Sequence, residues 1–378
     1  MARNKRPAKD AVSQNARSKP GDGSSTFRKT AKDQFAKSVP KAKRPSNPNR
    51  NSEQFFKPPE KPEISTRPPR RLPARVRLPE TIGTLLTTYP DQDYALLDSG
   101  NGLKLERYGS LKIVRPEGQA IWQPSLSPSD WENVDAVFTG DTDEEGLGRW
   151  QFPRGDLKEI FPMKWDGMAF WGRFTSFRHT GVFPEQAAHW RAMADQLEQA
   201  KSDTGSQPRI LNLFGYTGVA SLVAARAGAH VTHVDASKKA IGWARENQEL
   251  AGLSDKPIRW ICDDAVKFCE REARRGNTYD GILLDPPAYG RGPKGEVWQM
   301  FEDLPYMVDL CRELMSDKPL FTVLTAYTIR ASFLSIQELM QEEFGEIGGR
   351  LESGELTILT EDSDRRISTS MFSRWTKA

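Results

Sequence analysis

From residue 210 onward, short apolar runs alternate with longer segments of helical period, and this alternation constrains the fold more than any other feature. Strands are predicted at residues 210–214, 231–234, 258–262, 281–284 and 320–325. Between and after them helices are predicted at 219–227, 238–251, 265–274, 307–315 and 333–343. Parallel neighbours need a crossover, and helical crossovers cover both faces of the sheet they build. The last two predicted strands, 355–359 and 367–372, lie too close for a crossover, so at least one runs antiparallel. The expectation is an α/β fold with a doubly wound, seven-stranded Rossmann-like sheet. A helix at 184–199, with Ala187, Trp190, Met193, Ala194 and Leu197 at helical spacing, precedes it.

Charge divides the chain. Residues 1–77 hold 21 Lys and Arg against 6 Asp and Glu, and the remainder holds 33 against 45. The first segment is filled with Ser, Asn, Pro and Gly and has too little apolar surface to offset its ordering entropy, so a disordered basic arm is expected. Such an arm serves either as a solubilising tail or as a tether to a polyanion, most simply RNA. Residues 81–180 carry short aromatic and aliphatic runs at 103–108, 111–114, 120–122, 150–152 and 168–177, split by Gly, Pro, Asp and Asn. They read as a small β-rich domain. Its interleaved cations and rings (Arg107-Tyr108, Arg115-Pro116, Arg149-Trp150, Trp171, Arg173) suit either core aromatics with solvated arginines or a surface for bases and phosphates. Residues 181–378 form the third unit.

Cys262, Cys269 and Cys311 make no Cys-x-x-Cys pair and no ligand spacing with the four histidines, so a reducing, cytoplasmic setting without a metal is expected. No apolar run approaches the roughly 18 residues of a membrane span.

Ligands of open α/β sheets bind beyond the carboxyl ends of the strands, and four such ends are distinctive here. The first reads Asn212-Leu-Phe214-Gly215-Tyr216-Thr-Gly218, with glycines that allow a sharp turn and close approach to the main chain. The second ends in Asp235, placed to accept the two hydroxyls of a ribose or to cap the following helix. The third carries Asp263 and Asp264. Asp264, beside the small Ala265, suits the amino group of adenine; Asp263 is the alternative, and one of the two caps a helix. The fourth, Asp285-Pro286-Pro287-Ala288-Tyr289, fixes an extended turn with exposed carbonyls, an acceptor in Asp285 and a stacking ring in Tyr289.

Together the Asn-x-Phe-x-Tyr-Thr-Gly run, the acid at Asp235 and the Asp-Pro-Pro-x-aromatic turn resemble the ribosomal RNA methyltransferase family that includes the large-subunit cytosine-C5 enzymes. Gly181-Val-Phe-Pro-Glu-Gln186 resembles the segment just before that family's catalytic domain. The likeness spans residues 81–378, including Gly-Arg-Gly at 290–292 and the closing Ser-Thr-Ser-Met-Phe-Ser-Arg-Trp. It implies S-adenosylmethionine as cofactor, with Asn212, Gly215 and Gly218 beneath it, Asp235 on ribose, Asp264 on adenine, and Phe214 and Gln186 at the methionine end. It further implies a base of RNA, ribosomal by the family's habit, facing Asp285, Pro286, Pro287 and Tyr289. One departure matters. The cytosine-C5 members use a cysteine thiolate at the fourth or fifth strand end. Here neither end has a cysteine, the fifth reading Leu324-Thr-Ala-Tyr-Thr328, so transfer to a nitrogen is expected.

Overall fold

The computed structural model describes residues 76–140, 148–155, 157–205, 207–327 and 331–377, all within one compact unit. The basic segment 1–77 lies outside the described residues except for Val76 and Arg77. Strand β1 (Glu80–Thr88) leads into a small sheet of β2 (Tyr94–Gly100), β3 (Leu103–Tyr108), β4 (Leu111–Pro116), β5 (Ala136–Thr139) and β6 (Arg149–Gln151). A hairpin of β7 (Ile160–Trp165) and β8 (Met168–Arg173) follows. Then α1 (Ala187–Thr204) opens the alternation: β9 (Arg209–Leu213), α2 (Val219–Arg226), β10 (His230–Asp235), α3 (Lys238–Leu250), β11 (Ile258–Cys262), α4 (Ala265–Arg274) and β12 (Gly281–Leu284). The chain ends with the hairpin β13 (Tyr289–Arg291) and β14 (Val297–Gln299), α5 (Met300–Glu313), β15 (Phe321–Tyr327), α6 (Phe333–Phe344), β16 (Arg350–Leu359) and β17 (Arg366–Thr376).

The main sheet is mixed and has eight strands in the order β1-β16-β17-β15-β12-β9-β10-β11, not the seven expected. The eighth is β1, which pairs parallel to β16 at the sheet edge. It therefore belongs to the large sheet, although it lies within the stretch read as the small β domain. β17 runs antiparallel to both β15 and β16, as the short final connection requires.

The sequence explains the layers. β12 is Gly-Ile-Leu-Leu and wholly buried, as a central strand covered on both faces must be. Helix α4 buries Val266, Phe268 and Cys269 on one side while Lys267, Arg271 and Arg274 stay on the other. Ser237 and Asp264 cap α3 and α4, taking the amides of Ala240 and Lys267. Helix α5 begins at Met300, seven residues earlier than predicted, and runs through Pro305. That proline lacks an amide to donate to the Phe301 carbonyl near the helix's exposed start, so it forfeits one bond without ending the helix. Residues 120–122, read as a strand, instead cradle the β2–β3 turn, their carbonyls accepting the amides of Asn101 and Gly102.

Candidate functional site

The loop after β9 is held in a strained form. Phe214 and Tyr216 both have positive φ, 55° and 52°, a region that costs non-glycine residues of order 1–3 kcal/mol each and that clusters at ligand clamps. The surroundings over-determine it. Gly215 N–H donates to the Val234 carbonyl (3.1 Å) and Tyr216 N–H to Asp235 Oδ2 (2.9 Å). Thr217 Oγ1 donates to the Gly181 carbonyl (2.5 Å), and Asn247 Nδ2 to the Thr217 carbonyl (2.9 Å). Packing alone requires both glycines. A Cβ on Gly215 would stand 2.4 Å from the His233 ring, and one on Gly218, at φ 82°, would stand 2.9 Å from the Ala244 Cβ. Gly218 caps α2 and lines neither of the two cavities described below. Asn212 is buried with its amide on Ser221 Oγ (2.9 Å), under the loop.

Asp235 ends β10 with both oxygens engaged from behind, Oδ2 by Tyr216 and Oδ1 by Ser237 N–H (2.7 Å). Each oxygen keeps a second lone pair for the cleft. Burial raises its pKa, and those two amides pull it back. At the next strand end the alternatives separate. Asp263 is committed to Arg271. Asp264 both caps α4 through Oδ1 and faces the cleft, with Oδ2 unpartnered among the described residues.

The Asp-Pro-Pro-Ala-Tyr turn joins β12 to the β13–β14 hairpin, which had no sequence signal beyond Gly-Arg-Gly. Asp285 Oδ2 accepts from Gln186 Nε2 (3.1 Å), so two residues 99 positions apart meet. Pro287's carbonyl, expected to be exposed, is taken by Trp298 Nε1 (2.7 Å), and Trp298 packs on Phe214 with centroids 4.9 Å apart. The hairpin thus clamps the turn to the β9 loop. This leaves Asp285 and the Pro286 carbonyl as the turn's candidate acceptors. Tyr289 is 41% exposed with the Arg291 guanidinium 6.0 Å above its ring.

These residues share one cleft of about 790 Å³, large enough for a nucleoside-sized ligand together with a base. Phe214, Asp235, Asp264, Asp285, Pro286, Pro287, Tyr289 and Gln186 all line it. A smaller cavity of about 70 Å³ shares Gln186, Phe214 and Asp285 and adds Asn212 and Gly215. It also adds His189, a buried residue the sequence did not single out. Neither ring nitrogen of His189 has a partner among the described residues, and burial, with the Arg374 charge, pushes it down to about 3, so it is neutral.

The wall beyond β15 is set by a buried charge network. Glu106 is fully buried. It accepts from Arg115 Nε and Nη2 (both 2.7 Å) and from the Tyr94 (2.9 Å) and Tyr108 (3.2 Å) hydroxyls. Burial would raise its pKa, but the charges of Arg115 and Lys104 and these bonds hold it down to about 2. Arg115 Nη1 also donates to the Arg178 carbonyl (3.0 Å), and Arg178 Nη2 to the Tyr327 hydroxyl (3.1 Å). Arg115 is therefore an internal strut and not an RNA-facing cation. Arg107 and Arg173 are likewise paired, with Glu361 and Glu246.

No cysteine lines either cavity. Cys262 is exposed with its Sγ toward the Ala236 carbonyl, while Cys269 and Cys311 are buried in the core, which raises both thiols well above their ordinary value.

Comparison with known proteins follows the same lines. The family model described as conserved hypothetical protein 95 matches residues 184–304. A solved structure of an S-adenosylmethionine-dependent methyltransferase from Agrobacterium tumefaciens is 55% identical, with a TM-score of 0.78, covering 81% of this chain and 98% of that one. A proposed S-adenosylmethionine-dependent methyltransferase from Streptococcus mutans shares the fold at 16% identity and a TM-score of 0.56, covering 78% and 76%. Ribosomal RNA large subunit methyltransferase K of Neisseria meningitidis is 26% identical over 206 residues, 52% of this chain and 54% of that protein. Ribosomal RNA large subunit methyltransferase I of Shewanella amazonensis is 37% identical over 111 residues, 29% and 26% respectively. The chain thus spans about half the length of the first of these relatives and a quarter of the second.

Proposed function

We propose that this chain, which belongs to the S-adenosylmethionine-dependent methyltransferase family, methylates a base of ribosomal RNA at a nitrogen atom. The observation that carries the reading is the Gln186–Asp285 pair. It joins the Asp-Pro-Pro-Ala-Tyr turn to the segment that covers the β9 loop, within one cleft. The relatives that act on ribosomal RNA support the choice of substrate.

The residues present fit the cofactor. Asp235 offers two acceptors at the end of β10, and Asp264 Oδ2 is unpartnered among the described residues at the end of β11. They would hold the ribose and the adenine amino group. Gln186, Phe214 and the neutral His189 would surround the amino-acid end. Bound there, S-adenosylmethionine supplies a methyl group on a sulfonium sulfur. The protein's work is then to orient the acceptor and exclude water, which can account for much of a rate enhancement. Asp285 and the Pro286 carbonyl orient the amino or imino edge of a base, and Tyr289 stacks on its face; extrusion from the stack brings such a base into reach. The basic segment 1–77 would add salt-dependent, sequence-independent affinity for RNA phosphates.

The nitrogen assignment rests on the cysteines lying outside the cleft, because attack on C6 of cytosine needs a thiolate at the base. Ribosomal RNA containing 5-fluorocytidine tests it. The expected result is methylated RNA and no complex surviving denaturing electrophoresis. A stable protein–RNA adduct would return the target to cytosine C5.

A further inference from the structure

Sheet order divides the cleft. β9, β10 and β11, which carry the Phe214–Tyr216 loop, Asp235 and Asp264, lie to one side of β12 and its Asp285; β15, ending in Thr325 and Tyr327, lies to the other. With the cofactor over the first half, the methyl acceptor belongs over the second. The one histidine lining the cleft, His179, stands on that second half. Its ring packs against Phe183 (centroids 5.0 Å apart) and Tyr327 (6.1 Å). Neither ring nitrogen has a hydrogen-bond partner among the described residues. A half-buried imidazole on the cleft wall can offer a ring nitrogen, as donor or acceptor, to a ligand bound there.

We propose that His179 is a specificity residue that hydrogen-bonds the edge of the target base, with Phe183 and Tyr327 fixing its plane. The proposal rests on the RNA reading above and deepens it. Its support is structural at each step. Arg178, next in sequence, is anchored at both ends, its carbonyl by Arg115 and its guanidinium on the Tyr327 hydroxyl. The His179 backbone and the Tyr327 ring are thereby held by one chain of bonds that begins at the fully buried Glu106. Electrostatics agree. Burial, then the charges of Arg178, Arg115 and Lys104, push His179 down to about 3. The imidazole is neutral at physiological pH, with one donor and one acceptor nitrogen, and places no positive charge beside a cationic cofactor. A neutral imidazole presents one donor or one acceptor nitrogen, according to its tautomer, to a base edge that offers the complementary group. An unfilled partner at such a site also penalises bases lacking that edge, which is how polar pockets discriminate strongly.

The test uses the full-length protein and ribosomal RNA from cells lacking the gene, with labelled S-adenosylmethionine as methyl donor. Turnover and S-adenosylhomocysteine affinity are measured for wild type, His179→Ala, His179→Phe and His179→Gln. The expected result is a fall in kcat/KM for RNA of roughly 10- to 100-fold in the Ala and Phe variants. Gln, which keeps a donor and an acceptor, should recover part of it, and S-adenosylhomocysteine affinity should stay unchanged throughout. Wild-type turnover in His179→Ala overturns the proposal, as does a loss of S-adenosylhomocysteine binding that parallels the loss of turnover in all three. Absence of RNA labelling by the wild-type protein overturns the RNA reading itself, and is distinguished from failure of His179 alone by that control.

Discussion

Replacing Asp235 by Ala probes the cofactor site where its geometry is most explicit. The carboxylate receives the amides of Tyr216 and Ser237 at 2.9 and 2.7 Å and has one lone pair per oxygen left for the two hydroxyls of a ribose. Bonds to a charged acceptor contribute about 1.5–3 kcal/mol. Two such bonds are offset by the loss of hydration of a side chain already largely buried, so a net loss of about 1.5–3 kcal/mol is expected. At 1.4 kcal/mol per decade this is roughly a ten- to hundredfold rise in Kd. Asn should fall between Asp and Ala, because its amide group would face one of the two backbone N–H donors. Calorimetric titration with S-adenosylhomocysteine reads the effect directly. The pH dependence adds a signed check. The ionised form is the acceptor, and burial raises its pKa above the ordinary 3.8. Affinity should therefore be lost as pH falls through that raised value, earlier than for an exposed aspartate, and the Asn variant should lack this acid limb. An unchanged Kd in Asp235→Ala would remove the residue from the site and with it the assignment of the β10 end to ribose.

Other perturbations follow from the same structure. Arg115→Met strands the fully buried Glu106 carboxylate and should cost about 3–5 kcal/mol in chemical denaturation, with much of it restored by adding Glu106→Gln. Because Glu106 is held down to about 2 from 4.5, its contribution to stability is complete above about pH 4.5 and should disappear between there and pH 2; the pH-dependent part should be absent in Glu106→Gln. Gly215→Ala puts a Cβ 2.4 Å from the His233 ring and should cost about 1–3 kcal/mol of stability, measured by thermal melting, and weaken the cofactor site it distorts.

The parallel core was legible because its signal is local. Central strands such as Gly281–Leu284 are uninterrupted apolar runs, and helices such as Ala265–Arg274 have one apolar face, so their bounds were readable to within a residue. Strand β1 was not, since its place is decided by a partner 271 positions away and its sequence, Glu-Thr-Ile-Gly-Thr-Leu-Leu-Thr-Thr, is that of any half-exposed strand. The site divides in the same way. Asp235, Asp264 and Asp285 stand at strand ends, where topology alone gives them a meaning. His179 and His189 are single histidines in no motif; only the tertiary fold brings the first to the cleft wall and leaves the nitrogens of the second without partners among the described residues. Arg115 shows the converse error. As one cation among aromatics it suited either a solvated arginine or an RNA surface, but a neighbouring strand places Glu106 against it and turns it inward.

The central claim, that the chain methylates ribosomal RNA at a nitrogen, is tested most directly by mass spectrometry of nucleosides and mapped fragments of ribosomal RNA from a deletion strain and its parent. The account predicts one N-methylated nucleoside missing from a single fragment in the deletion strain and restored by the intact gene but not by the Asp285→Ala variant. Identical modification profiles in the two strains, or a missing mark that proves to be 5-methylcytosine, would contradict it.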